Sequence, residues 1–215
     1  DIISVIVGPP GNELLRVADA RKQLVGSAQT EEGLSLDLSS TTAYECVPEG
    51  IIEVDSRGFV TPVANGEVVV RVTVVGQGGK SIGAEKKLKV ENYVDQPVVN
   101  FPNQVVPIFT KHGCNGGGCH GKSGGQNGFR LSLLGFYPTE DHEYLVKEGR
   151  GRRITPASPG LSLLLRKALN LSPHGGGKRF GQDSFEYRII HRWMRQGMPY
   201  GNEADLRVEK VEVFP

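Results

Sequence analysis

The sequence lacks any apolar run approaching the length of a membrane span, and its start, DIISVIVGPP, has no charged segment leading into an apolar one. Those absences predict a chain without a membrane span, from which any signal peptide has already been removed. Equally missing is a ribbon of basic and aromatic residues or a recognisable reading motif, so nucleic acid is not an expected partner. The remaining bulk numbers, 215 residues with 38% hydrophobic and 23% charged, are those of a globular chain long enough for two ordinary domains.

Charge divides the chain. Residues 1–95 carry 9 Lys and Arg against 14 Asp and Glu, whereas 96–215 carry 16 against 10. An acidic and a basic half predict two units with different tasks, the basic one suited to an anionic ligand.

Residues 1–95 read as strands. DIISVIVG, KQLVGSAQ, SLDLSS, GIIEVDSRGFVTPV, GEVVVRVTVVG and KKLKVEN are short β-branched runs separated by Gly, Pro, Asn and Asp, with alternation clearest over Val68 to Val74. The pattern predicts an all-β sandwich. The segment IIEVDSRGFVTPVANGEVVVRVTV resembles the bacterial Ig-like group 2 family, over roughly residues 3–91. That resemblance implies an extracytoplasmic spacer, docking or adhesion module with no catalytic residue. Cys46 is read as a partly buried small apolar residue.

The break is expected in NYVDQPVVNFPNQVVP, where Pro97, Pro102 and Pro107 interrupt the periodicity. Beyond it, residues 96–215 read as a mainly helical domain with long glycine-rich loops. Helices are expected from Gln104 to His112, from Ser162 to Leu171 and from Ser184 to Gln196, the last with an apolar face of Phe185, Ile189 and Trp193, edged by Ile190 and Met194. So few regular elements can hardly bury enough side chain to fix the loops, which predicts a bound cofactor in the middle. The ending, LRVEKVEVFP, reads as a strand entering something further.

One loop carries chemistry. In CNGGGCHG, Cys114 and Cys119 flank four residues and His120 follows the second thiol. Two thiols followed directly by an imidazole is the attachment pattern of c-type haem, normally Cys-x-x-Cys-His; here the spacing is two residues longer, and Gly116, Gly117 and Gly118 would let the loop bulge at little steric cost. A Cys114–Cys119 disulfide, a zinc site and a redox dithiol compete. The disulfide has no need of His120, zinc lacks a second Cys-x2–4-Cys pair, and the dithiol lacks both the two-residue spacing and a βαβ setting.

The stretch from Val105 to Pro199 resembles the planctomycete-type cytochrome c domain, through FTKHGCNGGGCHGKSGGQNGFRLSLLGF, GRRITPASPGLSLLLRKA, SPHGGGKRF and EYRIIHRWMRQGMP. The resemblance implies a cytochrome c-like fold in which the helix before Cys114 packs on the one bearing Trp193. It also implies one covalent haem c on Cys114 and Cys119, with His120 as proximal iron ligand. No methionine occupies the loop before the last helix; His174, between Pro173 and three glycines, is the candidate distal ligand, with Met194 and Met198 as alternatives. His112, His142 and His191 are read as solvated surface. Arg152, Arg153, Lys178 and Arg179 are candidate partners for the haem propionates.

These readings predict single-electron transfer, with a redox partner protein or an attached catalytic domain, in the periplasm or another extracytoplasmic compartment. An open distal site would instead suit a haem sensor or peroxidase. A disulfide would suit an adhesion or carbohydrate-binding module.

Overall fold

The computed structural model describes residues 2–8, 14, 15, 19–39, 42–75, 81–205, 207, 208, 210, 211 and 213. The chain divides into two compact units, Asp1–Pro97 and Val98–Pro215. The strand expected in LRVEKVEVFP falls partly outside the described residues, and its described members form no strand.

Among its described residues the first unit is all-β, but the strands form three hydrogen-bonded sheets, not the two of the expected sandwich. One contains β1 (Ile2–Gly8), β4 (Val25–Thr30) and β5 (Ser35–Asp37). A second joins β2 (Leu14–Leu15), β10 (Ser81–Val90), β9 (Gly66–Val75) and β6 (Ala43–Val47); the third joins β3 (Lys22–Gln23), β8 (Phe59–Pro62) and β7 (Ile52–Val54).

The physical reason lies at Leu24. KQLVGSAQ reads as one strand, yet Leu24 is fully buried and its N–H donates to the Gly58 carbonyl at 2.8 Å. The residues before it pair with β8 and those after it with β1 and β5, so one run of sequence serves two sheets. The alternation read in β9 is present: Val68, Val70 and Val72 are buried while Glu67, Arg71 and Thr73 are exposed, with β10 paired along its whole length. The turn in VDSRG is built by Asp55, whose Oδ1 accepts from the N–H groups of Arg57 and Phe59, both at 2.9 Å. Cys46 on β6 is half-buried against the core, and burial, ahead of Glu45 and Glu49, pushes its thiol pKa up.

The expectation of a mainly α, cytochrome c-like second domain is corrected. Among the described residues there are four short α-helices, and over the described chain sheet outweighs helix. They are α1 (Val106–Lys111), which follows a π-turn over Phe101–Val105, α2 (Pro138–Val146), α3 (Leu163–Ala168) and α4 (Phe185–Arg195). Left-handed residues end them early. After α3, Asn170 has φ 61° and Leu171 N–H returns to the Arg166 carbonyl; after α4, Gly197 has φ 81° and Met198 N–H returns to Trp193. The start of α4 is capped by Ser184, whose hydroxyl accepts from the Tyr187 N–H at 3.1 Å.

The core of this unit joins Trp193, Ile189 and Ile190 of α4 to Phe101, Leu131, Leu145 and Leu165, all at most 2% exposed. Its loops are fixed by buried polar groups as well. Asp141 binds the N–H and hydroxyl of Ser132, and Arg153 donates to the carbonyls of Tyr144, Glu148 and Gly128. No helix among the described residues is long and apolar enough to cross a membrane.

Candidate functional site

The segment after α1 folds into a closed turn. Cys114 N–H donates to Phe109 at the end of α1 at 2.8 Å, His120 N–H to the Cys114 carbonyl at 3.0 Å, and Gly121 N–H to Gly116 at 3.1 Å. Buried Asn115 adds a bond from Nδ2 to Thr110 Oγ1 at 2.9 Å. The steric need for glycine sits elsewhere than expected. Added Cβ atoms meet nothing at Gly118, only ordinary contact at Gly117 and the Gly113 carbonyl oxygen at a tight 3.3 Å at Gly116, and none of the three has positive φ. At Gly121, by contrast, a Cβ would lie 2.6 Å from the Asn115 carbonyl carbon and closer still to its oxygen.

The turn forms one wall of a cavity of about 690 Å³, within the range of roughly 300–1,000 Å³ usual for cofactor and small-molecule sites. Cys114, Cys119 and His120 line it from one side of the sequence, and His174 with Gly175 and Gly176 from the other. Phe109, Phe129, Leu131, Leu164, Phe180 and Ile190 supply apolar wall. The thiols of Cys114 and Cys119 are free, so the structure contains no disulfide between them. Burial pushes the Cys114 thiol pKa up, with the Arg179 charge opposing.

The two histidines share a construction. His120 Nδ1 donates to the Phe129 carbonyl at 3.0 Å and His174 Nδ1 to the Gly177 carbonyl at 2.8 Å. A carbonyl can only accept, so in its neutral form each ring carries its proton on Nδ1 and keeps the Nε2 lone pair, as a metal-binding imidazole requires. Burial, then the nearby charges of His174, Arg153 and Arg179, lower the His120 pKa against the pull of the Phe129 carbonyl. The neutral imidazole is the form that can ligate a metal.

The cations divide. Arg152, Arg153, Lys167 and Arg179 line the cavity and no Asp or Glu does, leaving a wall that is apolar and positive. Arg153 is 6% exposed, lies over the Phe129 ring and already donates to three carbonyls, so it acts chiefly as a staple. Arg152 is exposed at the cavity. Lys178 is exposed and does not line the cavity, and Lys167, which the sequence did not single out, does.

Met194 is 1% exposed in the core and Met198 packs against that core; neither lines the cavity. Two histidines read as surface are corrected. His142 sits among Phe101, Trp193 and Tyr200 and donates from Nε2 to the Met198 carbonyl at 2.8 Å. His112 is 18% exposed, edge-on to Phe180. His191 stacks on Tyr187 one turn away.

Among the described residues, no three His, Cys, Asp or Glu side chains come together as a directly held metal ion would need. The described side chains thus offer no ready-made tetrahedral zinc site. The cavity's residues are of the types a haem would use: two thiols for covalent anchorage, two imidazoles, apolar walls for the ring and cations for its carboxylates. The chain matches no protein-family model and no curated protein.

Proposed function

We propose that residues 98–215 hold one covalent c-type haem and pass single electrons. The observation that carries this reading is the meeting of Cys114, Cys119, His120 and His174 on one apolar, cationic cavity. Cys114 and Cys119 would anchor the ring as thioethers, His120 would be the proximal ligand and His174 the distal one. Bound there, the haem supplies a one-electron Fe(III)/Fe(II) couple. The Phe129 and Gly177 carbonyls orient the two imidazoles. Phe129, Phe180 and Leu164 would keep water from the ring, and Arg152 and Lys167 would offset anionic charge.

Two histidine ligands would leave no open coordination position on the iron, which favours electron transfer over oxygen or peroxide chemistry. The likeness to planctomycete-type cytochrome c domains then lies in attachment chemistry. A redox partner protein or an attached catalytic domain would exchange the electron, and covalent attachment of this type places the protein outside the cytoplasm. The first unit would act as spacer or docking module.

Optical spectra of protein made with haem-maturation machinery, oxidised and reduced, test the ligand assignment. Low-spin spectra in the parent and a high-spin ferric spectrum in His174→Ala are expected. A spectrum unchanged by the substitution would remove His174 from the iron, and a haem-free parent would overturn the reading.

A further inference from the structure

Arg179, a candidate propionate partner on sequence grounds, links the Cys114–His120 turn to the loop that carries His174. Its Nη1 donates to the His112 carbonyl at 3.0 Å, just before the Cys114 turn, and its Nη2 lies 3.7 Å from Cys119 Sγ. Its main-chain N–H donates to the Ala168 carbonyl at the end of α3 at 2.7 Å, which fixes the root of the side chain. The guanidinium crosses Gly176 so closely that a Cβ there would lie 3.1 Å from Arg179 Cζ and 3.0 Å from His174 Cε1. Gly176 is thus a cradle for both the arginine head and the His174 ring. Among the described residues, no other hydrogen bond joins residues 112–120 to residues 172–179.

The Cys119 contact also locates this charge. The vinyl carbons that take up cysteine sulfur and the propionates lie on opposite edges of a haem. A guanidinium beside Cys119 would therefore lie at the thioether edge of a haem anchored there, leaving for the carboxylates Arg152 and Lys167, whose Nζ also donates to the Pro173 carbonyl at 2.7 Å.

We infer that Arg179 is a positioning residue: it clamps the Cys114–His120 turn to the His174 loop and so holds the distal imidazole in place. This rests on the haem reading above. A fork of two N–H donors is needed to reach His112 and Cys119 together, so lysine cannot replace it.

The test compares haem-loaded parent, Arg179→Gln and Arg179→Lys by ferric optical spectra with and without added free imidazole. Trp193 fluorescence serves as the check on folding. Both variants are expected to show a several-fold rise in the high-spin ferric fraction, reversed by free imidazole, while the parent ignores imidazole. Where Arg179→Gln fails to fold, Arg179→Lys carries the comparison, because it keeps the charge and most of the packing. Variants as fully low-spin as the parent and indifferent to imidazole would overturn the inference while leaving the haem reading intact. A parent without haem would overturn both, and is distinguished because it shows before any substitution is made.

Discussion

Replacing Gly121 by alanine tests whether the turn that presents Cys119 and His120 is built as described. The new Cβ would lie 2.6 Å from the Asn115 carbonyl carbon and closer still to its oxygen, where ordinary contact begins at 3.4 Å, so backbone must retreat by at least about 0.8 Å. Both neighbours are main chain, and no flexible side chain can absorb the movement. The retreat pulls apart the bonds from Gly121 N–H to Gly116 and from His120 N–H to Cys114, now 3.1 and 3.0 Å. Two hydrogen bonds at about 1 kcal/mol each and overpacking of about 1–3 kcal/mol give a loss of roughly 3–5 kcal/mol.

The chain's single tryptophan, Trp193, is fully buried in the second unit, so its fluorescence in a urea titration reports that unit. With a slope of about 2 kcal/mol/M, Gly121→Ala should lower the midpoint by about 2 M. Gly118→Ala, whose Cβ meets nothing, should stay within about 0.5 kcal/mol of the parent. Equal midpoints for the two variants would refute the steric account of the turn.

Glu186 gives a pH prediction. Burial pushes its carboxyl up, but Lys111 Nζ at 2.8 Å, its own N–H at the start of α4, the Lys111 charge and His112 outweigh that and hold it at about 2. A depressed carboxyl stabilises the fold above its unfolded value and loses that contribution as pH falls from about 4.5 towards 2. Because Lys111 is 70% exposed, the effect should be no more than about 1–2 kcal/mol, and Glu186→Gln should flatten acid-unfolding curves over that range. Arg153→Ala should cost roughly 3 kcal/mol in chemical denaturation by freeing the Tyr144, Glu148 and Gly128 carbonyls and uncovering Phe129. Arg153→Lys should recover little, since an ammonium cannot fork to three carbonyls; full recovery would reduce the arginine to a simple charge.

What could be read in advance was local. Alternation in β9, the Asp55 turn and the apolar face of α4 are written in consecutive residues. β6 has no clear signature in sequence because Ala43 to Val47 is only partly buried along its length, and β3 and β4 read as one strand because nothing in KQLVGSAQ marks a change of partner at Leu24. α2 was obscured by its polar face, although Pro138 at its first turn with Glu140 and Asp141 beside it is a start signal. His142 looked solvated because the rings that bury it, Phe101, Trp193 and Tyr200, are distant in sequence.

The site divides in the same way. Cys114, Cys119 and His120 are a motif, and His174 stands out between proline and glycines. The cavity itself, the carbonyls of Phe129 and Gly177 that orient the rings, and the reach of Arg179 back to His112 depend on loops held by Asn115, Asp141 and Arg153. No periodicity announces those.

The central claim, covalent haem on this turn, is tested most directly by the intact mass of the denatured chain after production in a host with cytochrome c maturation machinery. The account predicts one haem retained per parent chain and none retained under denaturing conditions when Cys114 and Cys119 are both replaced by serine. A parent chain at its unmodified mass, or a haem that stays on the double variant, would contradict it.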